Sequence, residues 1–186
     1  MRPNGAGRLL GAAGAAALGV FAVLAFGRAK RAATEAGMAL HGDWEGQLTA
    51  EHRAVKRLLK AMVETQIGEG AKRSGLVEDI GDLLTRHAVE EENVVYPALR
   101  KAGAGAEVQA LTQEHAQMKS LLRELEEAGP EDPAWDDRAK GLKRLVERHI
   151  RKEEKAMFPL LAGAATDGAN EKLTRLVRRE GMKLTS

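Results

Sequence analysis

The sequence contains no cysteine, and this absence excludes several classes of site. Disulfide frameworks, zinc ribbons, iron–sulfur clusters and thiol catalysis all require cysteine side chains. Aromatic residues are also scarce, at 3% of 186 residues, whereas alanine, leucine, glutamate, lysine and arginine dominate. These abundant residues are good helix formers, so the composition favours one helical domain over a sheet.

Acidic residues are absent from the first 31 positions, which carry five basic side chains. These five determine the sign of the formal net charge of +2, because the remaining residues carry 24 basic and 27 acidic groups. The chain after residue 31 is therefore mildly acidic. This balance argues against a nucleic-acid-binding surface, and we expect no nucleic-acid partner.

Residues 9–26 form an 18-residue run without a charge, bracketed by Arg8 and Arg28. A helix needs about 20 apolar residues to span a bilayer, so we predict that residues 1–31 form a single-pass membrane anchor. Export by a signal peptide cleaved after Gly27 is the alternative, although positive charges directly after the cut resist export. With an anchor, we expect the domain on the cytoplasmic side of the membrane.

Small residues recur every four positions in this segment, at Gly7, Gly11, Ala15 and Gly19. Such a stripe lets two membrane helices pack closely, so the N-terminal helix offers a contact for a homodimer. Chance spacing in a segment so rich in alanine and glycine is the alternative. Residues 32–42 follow as a linker.

The most informative pattern is a duplication. Residues 48–64 (LTAEHRAVKRLLKAMVE) align without gaps on residues 111–127 (LTQEHAQMKSLLRELEE), with 8 identities in 17 positions. Residues 83–100 align on residues 145–162, with 7 identities in 18. Four of the five histidines are in this pattern. The matched pairs are His52 with His115, His87 with His149, and Glu91 with Glu153.

Turn signals divide the duplicated region into segments with the three- and four-residue apolar spacing of helices. We predict helices over about residues 43–67, 74–101, 106–128 and 132–162. Short connections between long helices favour antiparallel neighbours. The predicted fold is all-α: an up-down-up-down four-helix bundle over residues 43–162, preceded by an N-terminal hydrophobic helix. A C-terminal tail, residues 163–186, contains a predicted amphipathic helix over about residues 170–182.

The duplicated histidines and glutamates have the spacing of metal ligands. Residues four apart on a helix lie on one face, so His87 lies beside Glu91, and His149 lies beside Glu153. The first histidine of each copy occupies an equivalent place on the first and third helices. With these side chains directed inwards, the bundle would bury four imidazoles and two carboxylates, which costs several kcal/mol per carboxylate without a cation.

Two metal ions would compensate this buried charge. We predict that His52 and His87 hold one ion and that His115 and His149 hold the other. Glu91 and Glu153 are the predicted bridges between the two ions. Mixed nitrogen and oxygen donors suit iron, with manganese and zinc as lesser options. A single HxxxE pair is weak evidence, and a bundle with coincidental histidines is the alternative. Duplication of the whole set disfavours that alternative.

Five further glutamates lie near the histidines, and we do not expect them to be metal ligands. Glu51 and Glu114 each precede the first histidine of a copy and lie off the line of the ligands. The other three are expected to support the ligands or to face solvent: Glu90, Glu92 and Glu154.

Tyr96-Pro97 and Phe158-Pro159 are a matched pair about ten residues after the second histidine of each copy. At about 1.5 Å per residue they lie roughly 15 Å away along the helix axis, too far for coordination. We therefore expect the two aromatic rings to pack in the core. The prolines are expected to kink or end their helices.

Four motifs in residues 44–162 closely resemble the hemerythrin-like, HHE cation-binding family: EHRAVKRLL, HAVEEENVVYPAL, EHAQMKSLL and HIRKEEKAMFPLL. The resemblance implies a four-helix bundle with a non-haem di-iron site. Carried over by position, the family's ligands are His52, His87, Glu91, His115, His149 and Glu153.

Two departures from the oxygen-carrying members of that family affect the expected function. Those members have a further histidine one turn after the one matched by His115, and this chain has Lys119 there. They also use one aspartate as a bridge, where this chain has two glutamates. The missing imidazole leaves one iron less shielded, which argues against simple reversible oxygen storage.

We therefore predict a non-enzymatic, non-haem di-iron protein that binds or senses dioxygen or a related small molecule, nitric oxide or peroxide. A redox enzyme is the first alternative, acting in peroxide or nitric oxide detoxification or in iron–sulfur cluster repair. A membrane-tethered bundle that responds to iron through an interaction partner is the second.

Overall fold

The computed structural model of the chain describes residues 42–184. The predictions for the anchor, its dimer contact and nearly all of the linker lie outside these residues. Among the helices that the structure describes, none combines the length and apolarity that a membrane span requires.

The described residues form helices and turns without a strand, so the prediction of an all-α fold is confirmed for them. The long helices are α1 (Trp44–Val63), α2 (Gly70–Glu90), α4 (Gly105–Ala128) and α5 (Trp135–Lys152). α2 continues through one π-helical turn, π1 (Glu91–Val95), into α3 (Tyr96–Lys101). α5 continues likewise through π2 (Glu153–Met157) into α6 (Phe158–Ala164), and α7 (Asp167–Lys183) follows.

The long helices are packed as antiparallel neighbours. α1 packs against α2 and α5, and α4 packs against α5 and α2. Hydrogen bonds between α1 and α2 join Glu51 to His87, whereas Thr65 after α1 meets Arg73 near the start of α2, so the two helices run in opposite directions. This arrangement is a four-helix bundle.

Three predicted helix boundaries differ from the structure. The first helix ends at Val63, four residues before the predicted end, and α2 begins at Gly70. α5 begins at Trp135 because Asp132 does not act as its N-cap. Instead, the Asp132 carboxylate accepts from the Ala134 N–H at 2.7 Å and closes a turn before the helix. Gly103 and Gly129 lie in the turns that end the second and third predicted helices, each with φ near +80° to +95°.

Of the two outcomes expected at the prolines, a kink or a helix end, the helix end does not occur. The backbone continues through Pro97 and Pro159 into α3 and α6. In π1 the Tyr96 N–H bonds the Glu91 carbonyl, and in π2 the Phe158 N–H bonds the Glu153 carbonyl, each spanning five residues. The wider turn accommodates the proline ring, which would clash with a carbonyl inside a regular α-helix.

Two apolar clusters fill the bundle, one towards each end. One contains Leu59, Ile80 and Leu142, and the other contains Leu48, Leu99 and Phe158, each 0% exposed. α1 and α4 contribute to both clusters, whereas α2 and α5 contribute to the first cluster and their continuations, through π1 into α3 and through π2 into α6, contribute to the second. Each histidine of the duplication lies near the change from one cluster to the other along the chain. The four histidines therefore meet at one level, between two apolar clusters.

The amphipathic helix predicted in the tail is α7, and it belongs to the folded domain. It packs against α1, α2 and π1 and buries Leu173 and Val177. The backbone N–H of Trp44 donates to Thr174, and its indole N–H donates to Asn170, both at 3.1 Å. α7 thus covers the start of α1 and closes one end of the bundle.

Candidate metal centre

The four histidines predicted from the duplication meet as two pairs in the middle of the bundle. His52 Nε2 and His87 Nε2 lie 3.0 Å apart, and His115 Nε2 and His149 Nε2 also lie 3.0 Å apart. His52, His87 and His149 are buried, and His115 is slightly more exposed. Each pair combines histidines from two antiparallel neighbours, α1 with α2 and α4 with α5.

A carboxylate accepts a hydrogen bond from the Nδ1–H of every one of these imidazoles. We call these four groups the clamp carboxylates. They are Glu154 on His52 (3.0 Å), Glu51 on His87 (2.9 Å), Glu92 on His115 (2.8 Å) and Glu114 on His149 (3.1 Å). Because the proton of a neutral imidazole is then held at Nδ1, its Nε2 presents a lone pair to the centre.

Two lone pairs that face each other at 3.0 Å repel unless a proton or a cation lies between them. For an octahedral ion with bonds of about 2.1 Å, neighbouring donors lie about 3.0 Å apart. Both histidine pairs have this separation. The spacing of the pairs therefore fits two neighbouring ligands of one ion.

Glu91 and Glu153 lie between the two histidine pairs and are 0% exposed. Glu153 places one oxygen 3.3 Å from His52 Nε2 and the other 3.2 Å from His149 Nε2. Glu91 Oε2 lies 3.3 Å from His87 Nε2 and 3.3 Å from the Nε2 of His115. Each carboxylate thus contacts one imidazole of each pair, which is the placement of a bridge.

The charges at this centre are balanced poorly by protein groups alone. Among the described residues, Glu91 Oε1 is buried without a hydrogen-bond partner. Burial raises the pKa of Glu91 well above its ordinary value, and the negative charge of Glu153 raises it further. Burial also acts to raise the pKa of Glu153, but His149 and His52 hold it well below its ordinary value.

The pKa of His52 also indicates that the centre lacks positive charge. Burial acts to lower its pKa, but hydrogen bonds to Glu153 and Glu154 outweigh this effect and raise the pKa. The nearby carboxylates therefore favour a proton on His52, and the raised pKa of Glu91 favours a proton on that carboxyl. A metal cation would compensate the charge of the carboxylates and bind the histidine nitrogens, and the residues present fit such an ion.

The structure brings all six sequence-predicted residues together. They form two overlapping groups, in each of which one ligand atom per residue lies within 4.8 Å of the others. The groups are His52, His87, Glu91 and Glu153, and Glu91, His115, His149 and Glu153.

The sequence interpretation missed the reach of Tyr96. Its ring is buried in the core as expected, but its hydroxyl donates to Glu153 Oε1 at 2.8 Å. The axial distance from His87 misled the prediction because it ignored the length of the side chain and the wide turn π1. Phe158, its counterpart, packs in the core as predicted and stacks on His52 at 5.7 Å between ring centroids.

The interpretation also undervalued Glu51 and Glu114. Both lie off the ligand line of their own helix, as expected, but each accepts a hydrogen bond from a histidine on the next helix. The duplication carried a signal for them, since a glutamate precedes the first histidine in both copies. Glu92 and Glu154 each accept a hydrogen bond from a histidine, so they support the candidate ligands, which was one of the two roles expected for them.

A cavity of about 370 Å³ adjoins the four imidazoles on the side of α2 and α4. Its walls are mainly apolar, and Lys119 lies at its exposed rim. A second cavity of about 690 Å³ continues between α2 and α4. The two share four lining residues: Thr85, Ala116, Lys119 and Leu122. A small molecule therefore has a path from the surface to the histidines.

This fold and site define a helical-bundle protein of the cation-binding class, with a His/Glu cluster able to hold metal. A family model for the hemerythrin HHE cation binding domain matches residues 46–161. The chain belongs to this family, and the family resemblance of its motifs is confirmed.

Two known proteins illustrate how far the similarity extends. A "DNA nickase" from Nostoc sp. is 37% identical over 75 residues, which are 40% of this chain and 21% of that protein. The chain thus matches only about a fifth of that relative's length. The crystal structure of a hemerythrin HHE cation binding domain-containing protein from Mycobacterium kansasii has a TM-score of 0.67 at 23% identity. It covers 77% of this chain and 87% of its own, and it shows that the two share a fold.

Proposed function

We propose that this protein holds two non-haem iron ions and binds or senses dioxygen or a related small molecule, nitric oxide or peroxide. His52 and His87 would hold one ion, His115 and His149 would hold the other, and the two buried carboxylates of the centre would contribute ligands to both. The observation that carries the proposal is the contact of each of these carboxylates, Glu91 and Glu153, with an imidazole of each pair.

The donor set favours iron over zinc or manganese. Structural zinc sites are tetrahedral and closed, whereas neighbouring imidazoles 3.0 Å apart with two carboxylates suit an octahedral ion. Two imidazole nitrogens with carboxylate oxygens are a common donor set for non-haem iron. When bound, iron would supply an exchangeable position and electrons for a small ligand.

The cavity beside the histidines supports a role in binding a small molecule. It adjoins all four imidazoles, and the path between α2 and α4 connects it to the surface. Lys119, which stands where the oxygen carriers have another histidine, is exposed at the rim. Its position favours sensing or reaction of a ligand over shielded storage of oxygen.

A redox enzyme acting on peroxide or nitric oxide is the second candidate. The hydroxyl of Tyr96, within 2.8 Å of Glu153, favours it because a phenol can donate a proton beside the ions. Repair of iron–sulfur clusters is a further reaction of this class. DNA cleavage is not proposed, since the match to the nickase covers a small part of that protein and the chain after residue 31 is mildly acidic.

We also propose that residues 9–26 hold the domain at a membrane, on its cytoplasmic side. The uncharged run and its flanking basic residues support this placement. An iron-responsive bundle that acts through a partner at the membrane is compatible with the same centre.

Metal content and optical spectra of the purified full-length chain test the main proposal. We expect about two irons per chain, and ferric absorption bands that appear on aeration and change with azide. The variant His149→Ala should lose iron, while His41→Ala, at the histidine outside the duplication, should not. A protein without iron, or one filled with zinc and indifferent to azide, would contradict the proposal. Peroxide consumption that disappears in Glu91→Ala would favour the enzyme.

A further inference from the structure

Tyr96 and Phe158 occupy equivalent places in the two copies, directly after π1 and π2. Each ring stacks on the first histidine of a copy. Tyr96 lies on His115 with ring centroids 5.5 Å apart, and Phe158 lies on His52 with centroids 5.7 Å apart. The two halves of the centre are therefore alike in shape but differ by one hydroxyl group.

The Tyr96 hydroxyl lies among the donor atoms of one half. It is 2.8 Å from Glu153 Oε1, 3.3 Å from His115 Nε2 and 3.4 Å from Glu91 Oε2. Neighbouring donors of an octahedral ion are about 3.0 Å apart. The phenol oxygen thus has the separation from three candidate ligands that a further ligand of the same ion would have.

We propose that Tyr96 is a fifth protein ligand of the ion held by His115 and His149, an inference that depends on the proposed iron centre. The other half has a phenyl ring at this place and four protein donors. Tyr96 then compensates for the imidazole that the oxygen carriers have at the position of Lys119. The half with His52 and His87 keeps more exchangeable positions, so a small ligand binds there.

Coordination to ferric iron forms an oxygen–iron bond, breaks the phenol O–H bond and releases the proton to solvent. Without a cation, burial and the nearby carboxylates raise the pKa of Tyr96, and the phenol acts as a hydrogen-bond donor. A trivalent ion reverses the local field, as bound cations do for coordinated thiols and water.

The chain has a single tyrosine, so the test needs no assignment of the residue. Ferric iron bound by a phenolate absorbs visible light, and resonance Raman excitation in that band enhances vibrations of the tyrosine ring. We expect these vibrations from the full-length iron-loaded protein, and an isotope shift with ring-deuterated tyrosine. Two ferric ions per chain without tyrosinate vibrations would overturn the inference and leave the proposed iron centre standing.

Two variants provide a matched comparison. Tyr96→Phe should lose the phenolate band while keeping azide-sensitive ferric absorption, and Tyr96→Phe/Phe158→Tyr should regain a band from the other half. A visible band that is unchanged in Tyr96→Phe at two irons per chain would also overturn the inference. Absence of iron from the wild-type chain would instead defeat the proposed function.

Discussion

Each imidazole of the centre uses both of its nitrogens. Nε2 faces the proposed metal, and Nδ1 donates to a clamp carboxylate at 2.8 to 3.1 Å. Such partners fix the tautomer and orientation of a ligand, and their loss typically reduces metal affinity 10–100-fold. Glu114 is a good example, because it also accepts from Lys152 at 2.7 Å. Burial acts to raise the pKa of Glu114, but Lys152 and His149 lower it overall, so the carboxylate stays ionised.

Replacing Glu114 by alanine should therefore weaken metal binding without removing a ligand. We expect the dissociation constant for iron to rise about 10–100-fold, measured by competition with a chelator. Glu124→Ala, an exposed change on the same helix, is the control and should leave affinity unchanged. Equal affinities for the two variants would show that the clamp carboxylates do not support the ligands.

At the scale of elements, α7 shows why the domain extends beyond the bundle itself. The family match ends at residue 161, but α7 buries Leu173 and Val177 against the core. It also approaches the second helix so closely that a side chain at Gly181 would overlap the Glu90 carboxylate. The helix therefore stabilises the end of the bundle next to π1.

Truncating a buried leucine of α7 tests this contribution. Leu173→Ala should lower the free energy of unfolding by about 2–3 kcal/mol, because it leaves a cavity beneath the helix. Leu184→Ala, at a side chain that is 51% exposed, should change it by less than about 0.5 kcal/mol. Urea denaturation monitored by circular dichroism gives both values. Similar values for both variants would mean that α7 adds little to the fold.

The sequence predicted the helices, the turns and the six candidate ligands because these features follow a period or a duplication. The turns π1 and π2 break the 3.6-residue period, so the direction of the Tyr96 hydroxyl could not be derived from spacing on a regular helix. The partners of Glu51 and Glu114 depend on how neighbouring helices face each other, which a one-helix projection does not contain. The start of α5 differed because Asp132 bonds a turn instead of a helix end.

At the scale of the whole molecule, the described residues bury more carboxylates than basic side chains. Glu90 is 1% exposed, and Gln47 donates to it at 3.0 Å. Burial, with the negative charge of Glu51, raises the pKa of Glu90 to about 9. The pKa values of Glu91 and His52 are also raised. All three groups bind protons more tightly in the folded chain than in the unfolded chain.

The metal-free protein should consequently lose stability as the pH rises. A group whose pKa is raised on folding contributes its full stabilisation below its unfolded pKa, which is 4.5 for glutamate. The contribution is lost as the pH rises towards the folded pKa, which is about 9 for Glu90. Between pH 5 and pH 8, the free energy of unfolding of Glu90→Gln should increase relative to that of the wild type by up to about 1.4 kcal/mol for each pH unit. Urea denaturation of the chelated protein measures this difference. Glu127→Gln, at an exposed site, should show no gain, and parallel curves for all three proteins would refute the explanation.

The clamp carboxylates cross between the copies at two of the four histidines. Glu154 of the second copy bonds His52 of the first, and Glu92 of the first copy bonds His115 of the second. A helical hairpin with one copy would thus lack the partner of its own first histidine and a bridging carboxylate. Two identical hairpins related by a two-fold axis would supply both, so a hairpin with one copy of the repeat completes such a centre only as a symmetric pair. In a symmetric pair both halves would carry the same residues, whereas a single chain can differ between its halves, as Tyr96 and Phe158 do by one hydroxyl group.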